Sequence, residues 1–414
     1  MNQRLRAQAQ QIIDAAISAV QPDAAVIRAL EGKVFPGRVI LVAAGKAAWQ
    51  MASAAYRCLG NRIDDGIVIT KYGHVKGAVG QLHCLEAGHP VPDENTFRAT
   101  QQAMELVSGL RQEDTVLFLL SGGGSALFEK PLIPGEQLQD ITSQLLACGA
   151  DITQINTIRK RLSAVKGGRF ALHCAPAAVY SVVLSDIVGD PLDMIASGPA
   201  YPDSSTCADA LAIAESYSLR LSPEAMQCLQ EETPKELYNV QTVITGSVRQ
   251  LCAAAAAAAE LLAYQTQILT DQMTCQAKEA GSFLASIACT NAKTGKKLAF
   301  LAGGETVVRL TGSGKGGRNQ ELALAAAAGI EGLGHVCIFS VGSDGTDGPT
   351  DAAGGYVDGT TASHMRQQGL SIPQVLQNND AYHALAQVDG LIITGPTGTN
   401  VNDVAVVLID PEEM

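Results

Sequence analysis

Aromatic side chains are scarce in this chain, at 4% of its 414 residues with a single tryptophan. Alanine and glycine carry much of the 47% hydrophobic content instead, which suits α/β layers packed closely on small side chains. Basic charge is short too. Lys and Arg number 29 against 41 Asp and Glu, for a net charge of −12. That deficit argues against non-specific nucleic-acid binding and against an anionic membrane surface as partners. An anionic ligand would need basic residues gathered locally. Ten cysteines include no C-x-x-C pair and no Cys/His group at zinc spacing. Scattered from Cys58 to Cys337, they read as small apolar core residues of a reducing compartment.

No apolar run is long enough to span a bilayer, and the Ala-rich run 252–263 is short enough to be a buried helix. The first residues alternate polar and apolar at helical spacing and lack the uninterrupted apolar core of a signal peptide. A soluble cytoplasmic protein is the expectation. Two nucleotide signatures are also missing. The dinucleotide fingerprint Gly-x-Gly-x-x-Gly does not occur. A P-loop is absent as well: Gly316 follows Lys315 where a hydroxyl should hold Mg²⁺, and Arg309 stands where the first glycine belongs.

What is present is a series of strand–loop–helix units. The length exceeds one ordinary core, so two domains are expected, 1–238 and 239–414, with the border near Tyr238. The most informative stretch is 298–328. An apolar strand, 298–302, runs into Gly303, Gly304 and Glu305, and a short apolar segment of Val307, Val308 and Leu310 follows. Glycines 312, 314, 316 and 317 then alternate with Lys315 and Arg318 before a helical 321–328. Such a loop feeding a helix N-terminus is a natural anion site, because backbone N–H groups and the helix dipole favour negative charge. Gly314, Lys315, Arg318 and Asn319 are its candidate contacts. A solvated turn is the alternative.

In the first half, strand 39–43 ends in Ala44, Gly45 and Lys46 before helix 47–59. Ligands gather at strand C-terminal ends in open α/β sheets, so Lys46 is a candidate against the alternative of a solvated lysine. Strand 66–70 leads to Lys71 and His74, and a proline-flanked loop carries His89 before helix 95–110. Loop histidines are more often structural or exposed than catalytic, yet His74 and His89 are kept among the site candidates. Strand 114–120 opens into Ser121, Gly122, Gly123, Gly124 and Ser125, a backbone cradle for phosphate or carboxylate. It is not the Gly-x-Ser-x-Gly elbow of acyl transfer.

The main basic cluster is 155–169. At helical spacing Arg159, Ser163 and Lys166 share one face, read as a contribution to the site rather than as a solvated face. Strand 179–184 ends beside Asp186 and Asp190, carboxylates placed where Mg²⁺ bound chiefly through phosphate oxygens would sit. Strand 241–245 opens the second domain. Strand 336–341 runs into Asp344, Asp347 and Asp351. This loop lacks the terminal Glu and flanking helices of an EF-hand, so a carboxylate-lined active-site loop fits better. Strand 390–394, the loop 395–403 and strand 404–409 close the chain.

Seven stretches together carry a resemblance: AAGKAA (43–48), SGGGSA (121–126), INTIRKRLSAVKGG (155–168), LSDIVGDPLDMIASGP (184–199), GSGKGGRNQEL (312–322), SVGSDGTDGPTDAAG (340–354) and GPTGTNVND (395–403). In this order the chain resembles the glycerate 2-kinases of the MOFRL type, whose members have often been labelled hydroxypyruvate reductases. The resemblance implies an N-terminal Rossmann-like, doubly wound α/β domain, a C-terminal α/β domain, and an active site in the cleft between them. It implies ATP and Mg²⁺ as cofactors and phosphorylation of the 2-hydroxyl of D-glycerate. Lys46 and Arg318 are the residues it puts forward for catalysis. Asp186, Asp190, Asp344 and Asp347 stay open between holding Mg²⁺ and accepting the hydroxyl proton. Lys46→Ala and Arg318→Ala are each expected to lower turnover far more than stability. Two alternatives stand beside this reading. An NAD(P)H-dependent hydroxypyruvate reductase would need the absent dinucleotide signature. A non-catalytic small-anion-binding protein would be expected to lose Lys46, Arg318 or the Asp loops, all of which are present. A homodimer is left open.

Overall fold

Among the described residues the apolar runs become twelve strands in two six-stranded sheets. The computed structural model describes residues 1–411. The chain folds as two compact units, Pro22–Thr245 and Met1–Gln21 with the chain from Gly246 onward.

In the unit Pro22–Thr245 the strands are β1 (Val39–Ala44), β2 (Asp65–Lys71), β3 (His83–Ala87), β4 (Thr115–Leu120), β5 (Ala178–Leu184) and β6 (Val240–Gly246). Their order is β3-β2-β1-β4-β5-β6, that of a doubly wound dinucleotide-binding sheet. The pairs β1/β2, β2/β3, β1/β4 and β4/β5 are parallel. Helices cover both faces, which is why β1 and β4 are wholly buried and apolar at every position but Thr115. Ile40, Val42 and Ala44 of β1 share a core with Phe118, Phe128 and Phe170, while Leu41 and Ala43 pack with Met51, Leu117 and Leu119 on the other face. The winding reverses between β1 and β4, where the C-terminal strand ends open a crevice.

The other unit holds β7 (Gln265–Met273), β8 (Leu298–Gly304), β9 (Val336–Gly342), β10 (Gly354–Asp358), β11 (Leu391–Ile392) and β12 (Asp403–Ile409). The order is β11-β10-β9-β12-β8-β7. Strands β7 and β8 are parallel and the remaining pairs antiparallel. Helices Gln3–Ala19 and Val248–Leu261 share one core with this sheet, and Ala277–Asn291 and Arg318–Gly329 share another. Small residues make the second pair possible: a Cβ on Gly281 would lie 2.1 Å from the Leu322 carbonyl oxygen.

Several expectations change. The border falls at 245/246 instead of 238/239, because strand Val240–Gly246 adds to the first sheet beside β5 rather than opening the second. The helix Gln3–Ala19 changes sides: its apolar stripe of Leu5, Ala9, Ile12, Ile13 and Ala16 packs on helix Val248–Leu261. The strand expected at 390–394 is only Leu391–Ile392. The segment around Val307 and Leu310 is irregular and largely exposed. Of the ten cysteines, all without disulfides, only Cys174, Cys252 and Cys337 are buried, so the core reading holds for those three. No helix among the described residues is long and apolar enough to cross a membrane.

Candidate active site

Five loops at the C-terminal edge of the parallel sheet bring the first-half candidates together. Gly45 follows β1 with φ +122°, and a Cβ there would lie 2.3 Å from Ser121 Oγ. The missing side chain lets Ser121 Oγ accept from the Ala47 N–H at 3.0 Å. Lys46 N–H donates to the Gly122 carbonyl at 2.9 Å. A Cβ on Gly122 would lie 2.2 Å from Asp186 Oδ2. A Cβ on Gly123 (φ +84°) would lie 3.0 Å from His89 Cδ2 and Nε2 and 3.1 Å from Lys46 Cγ. Gly122 and Gly123 are therefore the floor on which Lys46, His89 and Asp186 meet. Lys46 is exposed, and its ammonium makes no hydrogen bond or ion pair among the described residues. Its carbonyl is held by Thr70 Oγ1 at 3.2 Å and approached by His74 Nδ1 at 3.0 Å. His89 is half-buried, and its pKa is pushed down by burial first, then by Lys46, Lys71 and His74.

The serines of the cradle face inward. Ser121 is buried and engaged by the Ala47 amide, and Ser125 Oγ lies 3.4 Å from Ser197 Oγ. Gly124 meets Ala196, where a Cβ would come within 2.7 Å of the alanine methyl. What remains toward solvent is the Gly122–Gly123 backbone.

The expected helical face of Arg159, Ser163 and Lys166 does not form, because the helix Ile152–Arg161 ends first. Arg159 and Lys166 nevertheless converge. Each donates to the Ser125 carbonyl at 2.9 Å, and Lys166 Nζ also lies 3.3 Å from Glu129 Oε2. Lys166 and Glu129 are fully buried. Burial pushes the Lys166 pKa down to about 8 against the pull of Glu129. Lys166 thus braces the loop from beneath rather than touching a ligand. Lys160 and Arg161 of the same basic run pair with buried Asp203. Asp190 has φ +53°, and its Oδ1 is buried with no hydrogen-bond partner among the described residues. Ala196 and Ser197, in the same loop, are also left-handed. Such non-glycine residues concentrate at functional sites.

In the other unit, β12 begins at Asp403, opposite Gly304 of β8 and Gly342 of β9. Arg318 clamps this carboxylate with Nε at 2.5 Å from Oδ2 and Nη2 at 3.1 Å from Oδ1, and its Nη1 donates to Glu305 at 2.7 Å. Burial pushes the Asp403 pKa up despite Arg318. Burial opposes the Arg318 charge, but the two carboxylates outweigh it and raise its pKa.

From Thr311 to Lys315 the backbone of the glycine-rich loop is engaged internally, which narrows the expected anion cradle. Thr311 and Gly312 donate their N–H groups to Asn379 Oδ1 at 2.7 and 3.0 Å. Ser313 donates to Asn378 Oδ1, Gly314 to the Asn378 carbonyl and Lys315 to Asp380 Oδ1. The Lys315 ammonium lies over the Tyr382 ring, 4.6 Å from its centroid. The helix N-terminus is already filled by Asp347, which accepts from the Asn319 and Gln320 N–H groups at 3.2 and 2.8 Å. Gly317 admits it, since a Cβ there would lie 2.2 Å from Asp347 Cγ. Asn319 is buried and engaged by Ser340 and Asp347. Burial, with Asp403 adding to it, pushes the Asp347 pKa up to about 7 against its two backbone donors. Asp344 accepts from the Thr346 N–H at 3.0 Å. No three His, Cys, Asp or Glu among the described residues gather as a metal cluster. Sequence reasoning missed Glu129 and the Arg318–Asp403 clamp; position at a strand end could have pointed to Asp403.

Two family models match the chain. One is described as a domain of unknown function, DUF4147, over residues 8–230, and the other is the MOFRL family over residues 298–403. The chain is 52% identical to a D-glycerate 2-kinase of Thermotoga maritima, with 96% of this chain and 97% of that one covered. It is 41% identical to a glycerate 2-kinase of Pyrococcus horikoshii, covering 96% of each. A crystal structure of glycerate kinase from Thermotoga maritima superposes with a TM-score of 0.95 at 50% identity, covering 99% of this chain and 100% of that one.

Proposed function

The chain belongs to the MOFRL-type glycerate 2-kinase family, and we propose that it transfers the γ-phosphoryl group of ATP, with Mg²⁺, to the 2-hydroxyl of D-glycerate. The products are 2-phosphoglycerate and ADP. The observation that carries this reading is the unpaired Lys46 ammonium at the β1/β4 switch point, on a floor of two glycines. Phosphoryl transfer asks a protein for positioning and for charge stabilisation, and little covalent chemistry. Lys46 meets the negative oxygens of a phosphoryl group or carboxylate, while Gly122 and Gly123 let the ligand approach the backbone.

The donors present fit Mg²⁺ better in the first unit than in the second. Asp186 stands against Gly122, and Asp190, four residues on, carries a buried carboxylate oxygen without a hydrogen-bond partner. One or two carboxylates suffice where phosphate oxygens and water complete the shell. Asp186 and Asp190 would hold the ion, which when bound neutralises charge on the phosphate oxygens. Asp347 is committed to the helix N-terminus and does not fit. Arg318 is the second cation put forward; the half-exposed Glu305 is the partner that a phosphate oxygen can replace, while Asp403 keeps the guanidinium oriented. The ten cysteines without disulfides support a cytoplasmic location.

The strand order would also suit a nicotinamide-dependent reductase, but the first turn reads Ala44, Gly45, Lys46, Ala47, with one glycine where three are needed. The test is a coupled assay of the purified chain with D-glycerate, ATP and Mg²⁺, using enolase without phosphoglycerate mutase. A parallel reaction holds hydroxypyruvate with NADH or NADPH. ADP with a direct enolase signal is expected. ADP without that signal would mean another hydroxyl, and nicotinamide oxidation without ADP would overturn the kinase reading.

A further inference from the structure

One group on the glycine floor has no role in the reading above. The Nε2 edge of His89 lies against Gly123, beside the stem of Lys46. Four other histidines are engaged: His335 is buried with Nε2 2.9 Å from the Ala292 carbonyl, His74 meets the Lys46 carbonyl, His173 meets the Met104 carbonyl, and His383 meets Asp380. The His89 ring makes no hydrogen bond among the described residues. Half-buried two residues past the end of β3, it shares the C-terminal edge with every other group of this half-site.

The charges that act on His89 are cationic: Lys46 from the loop after β1, Lys71 at the end of β2, and His74 from the loop that follows it. Asp186 stands over Gly122, and Asp93 accepts from Tyr72 Oη, the Gly88 N–H and the Thr96 N–H. Together with burial, this environment favours the neutral imidazole, which carries a lone pair. A neutral base beside a lysine suits an acceptor that is itself anionic. The lysine holds the negative charge, and the base adds none of its own.

We propose that His89 takes the proton from the acceptor hydroxyl of the reaction assigned above. The inference rests on that assignment and decides a role that the carboxylates alone left open. The hydroxyl oxygen bonds to the γ-phosphorus while its O–H bond breaks and the proton passes to His89 Nε2. The bond from phosphorus to the bridging oxygen breaks, and its electron pair leaves with ADP. The imidazolium then returns the proton to solvent.

The experiment is steady-state kinetics of the full chain with D-glycerate, ATP and Mg²⁺ from pH 5 to 9, for the wild type, His89→Gln and His89→Asn. The wild-type kcat should fall on the acid side with a midpoint below 6.5, the ordinary histidine value. Both variants should lose kcat by about 100-fold or more, the usual contribution of a general base. Their KM for D-glycerate should hold within about threefold, and their acid limb should disappear. A variant that keeps its kcat, a loss confined to KM, or an acid limb that survives in both variants would overturn the proposal. A wild type that does not phosphorylate D-glycerate would instead overturn the kinase assignment itself.

Discussion

Arg318 and Lys46 carry the same charge in opposite settings. Lys46 is exposed and unpaired, whereas Arg318 holds Asp403 from two nitrogens and Glu305 from a third. Arg318→Ala therefore leaves Asp403, 4% exposed, buried without its counter-charge. Removing one partner of such a pair destabilises by about 3–5 kcal/mol. Urea unfolding should show that loss, so turnover alone is the wrong readout for this residue. An unchanged unfolding midpoint would mean that Asp403 finds another donor. The sequence reading expected both alanine variants to lower turnover far more than stability. It could see the arginine but not its partner, because Asp403 lies 85 residues along the chain.

Asp347 adds a pH dependence. Its folded pKa, about 7, lies above the ordinary 3.8. Between those values the folded chain binds more protons than the unfolded chain, so this group's stabilisation is complete below about pH 4 and is lost as pH rises through 7. The slope approaches about 1.4 kcal/mol per pH unit. Asp347→Asn should flatten the fall in unfolding free energy between pH 5 and 7. Equal slopes in the two proteins would show that Asp347 is ionised throughout.

At the scale of elements, strands were legible and loop partners were not. β1, β4, β9 and β12 are buried at every position, so an apolar run is a sufficient signal. The loop from Gly312 to Gly317 was read as a cradle for an outside anion, yet its N–H groups from Gly312 to Lys315 go to Asn378, Asn379 and Asp380, and its helix end goes to Asp347. Glycine there answers a need for space. Close approach of a ligand and close approach of the chain's own backbone leave the same sequence pattern. Gly317→Ala separates them. Overpacking against Asp347 should lower stability by about 1–3 kcal/mol by urea titration. A neutral effect would mean that the Asp347 loop yields easily.

For the whole molecule, the layered α/β character followed from composition and strand spacing, but the division of the chain did not. Helix Gln3–Ala19 is amphipathic in either unit, and nothing local says that its stripe meets helix Val248–Leu261. The border was misplaced for the same reason: edge strand Val240–Gly246 is only half-buried, so its apolar pattern does not reveal which sheet it joins. The functional reading survives these shifts because the loops that carry Lys46, His89, Gly122 and Asp186 all follow strands of one parallel sheet. Its most direct test is Lys46→Met, followed by ³¹P NMR of product formed from D-glycerate and ATP beside a melting curve. The account predicts 2-phosphoglycerate from the wild type, turnover at least about 100-fold lower in the variant, and stability within about 0.5 kcal/mol because Lys46 is exposed and unpaired. A variant that makes 2-phosphoglycerate at a near-normal rate would contradict it.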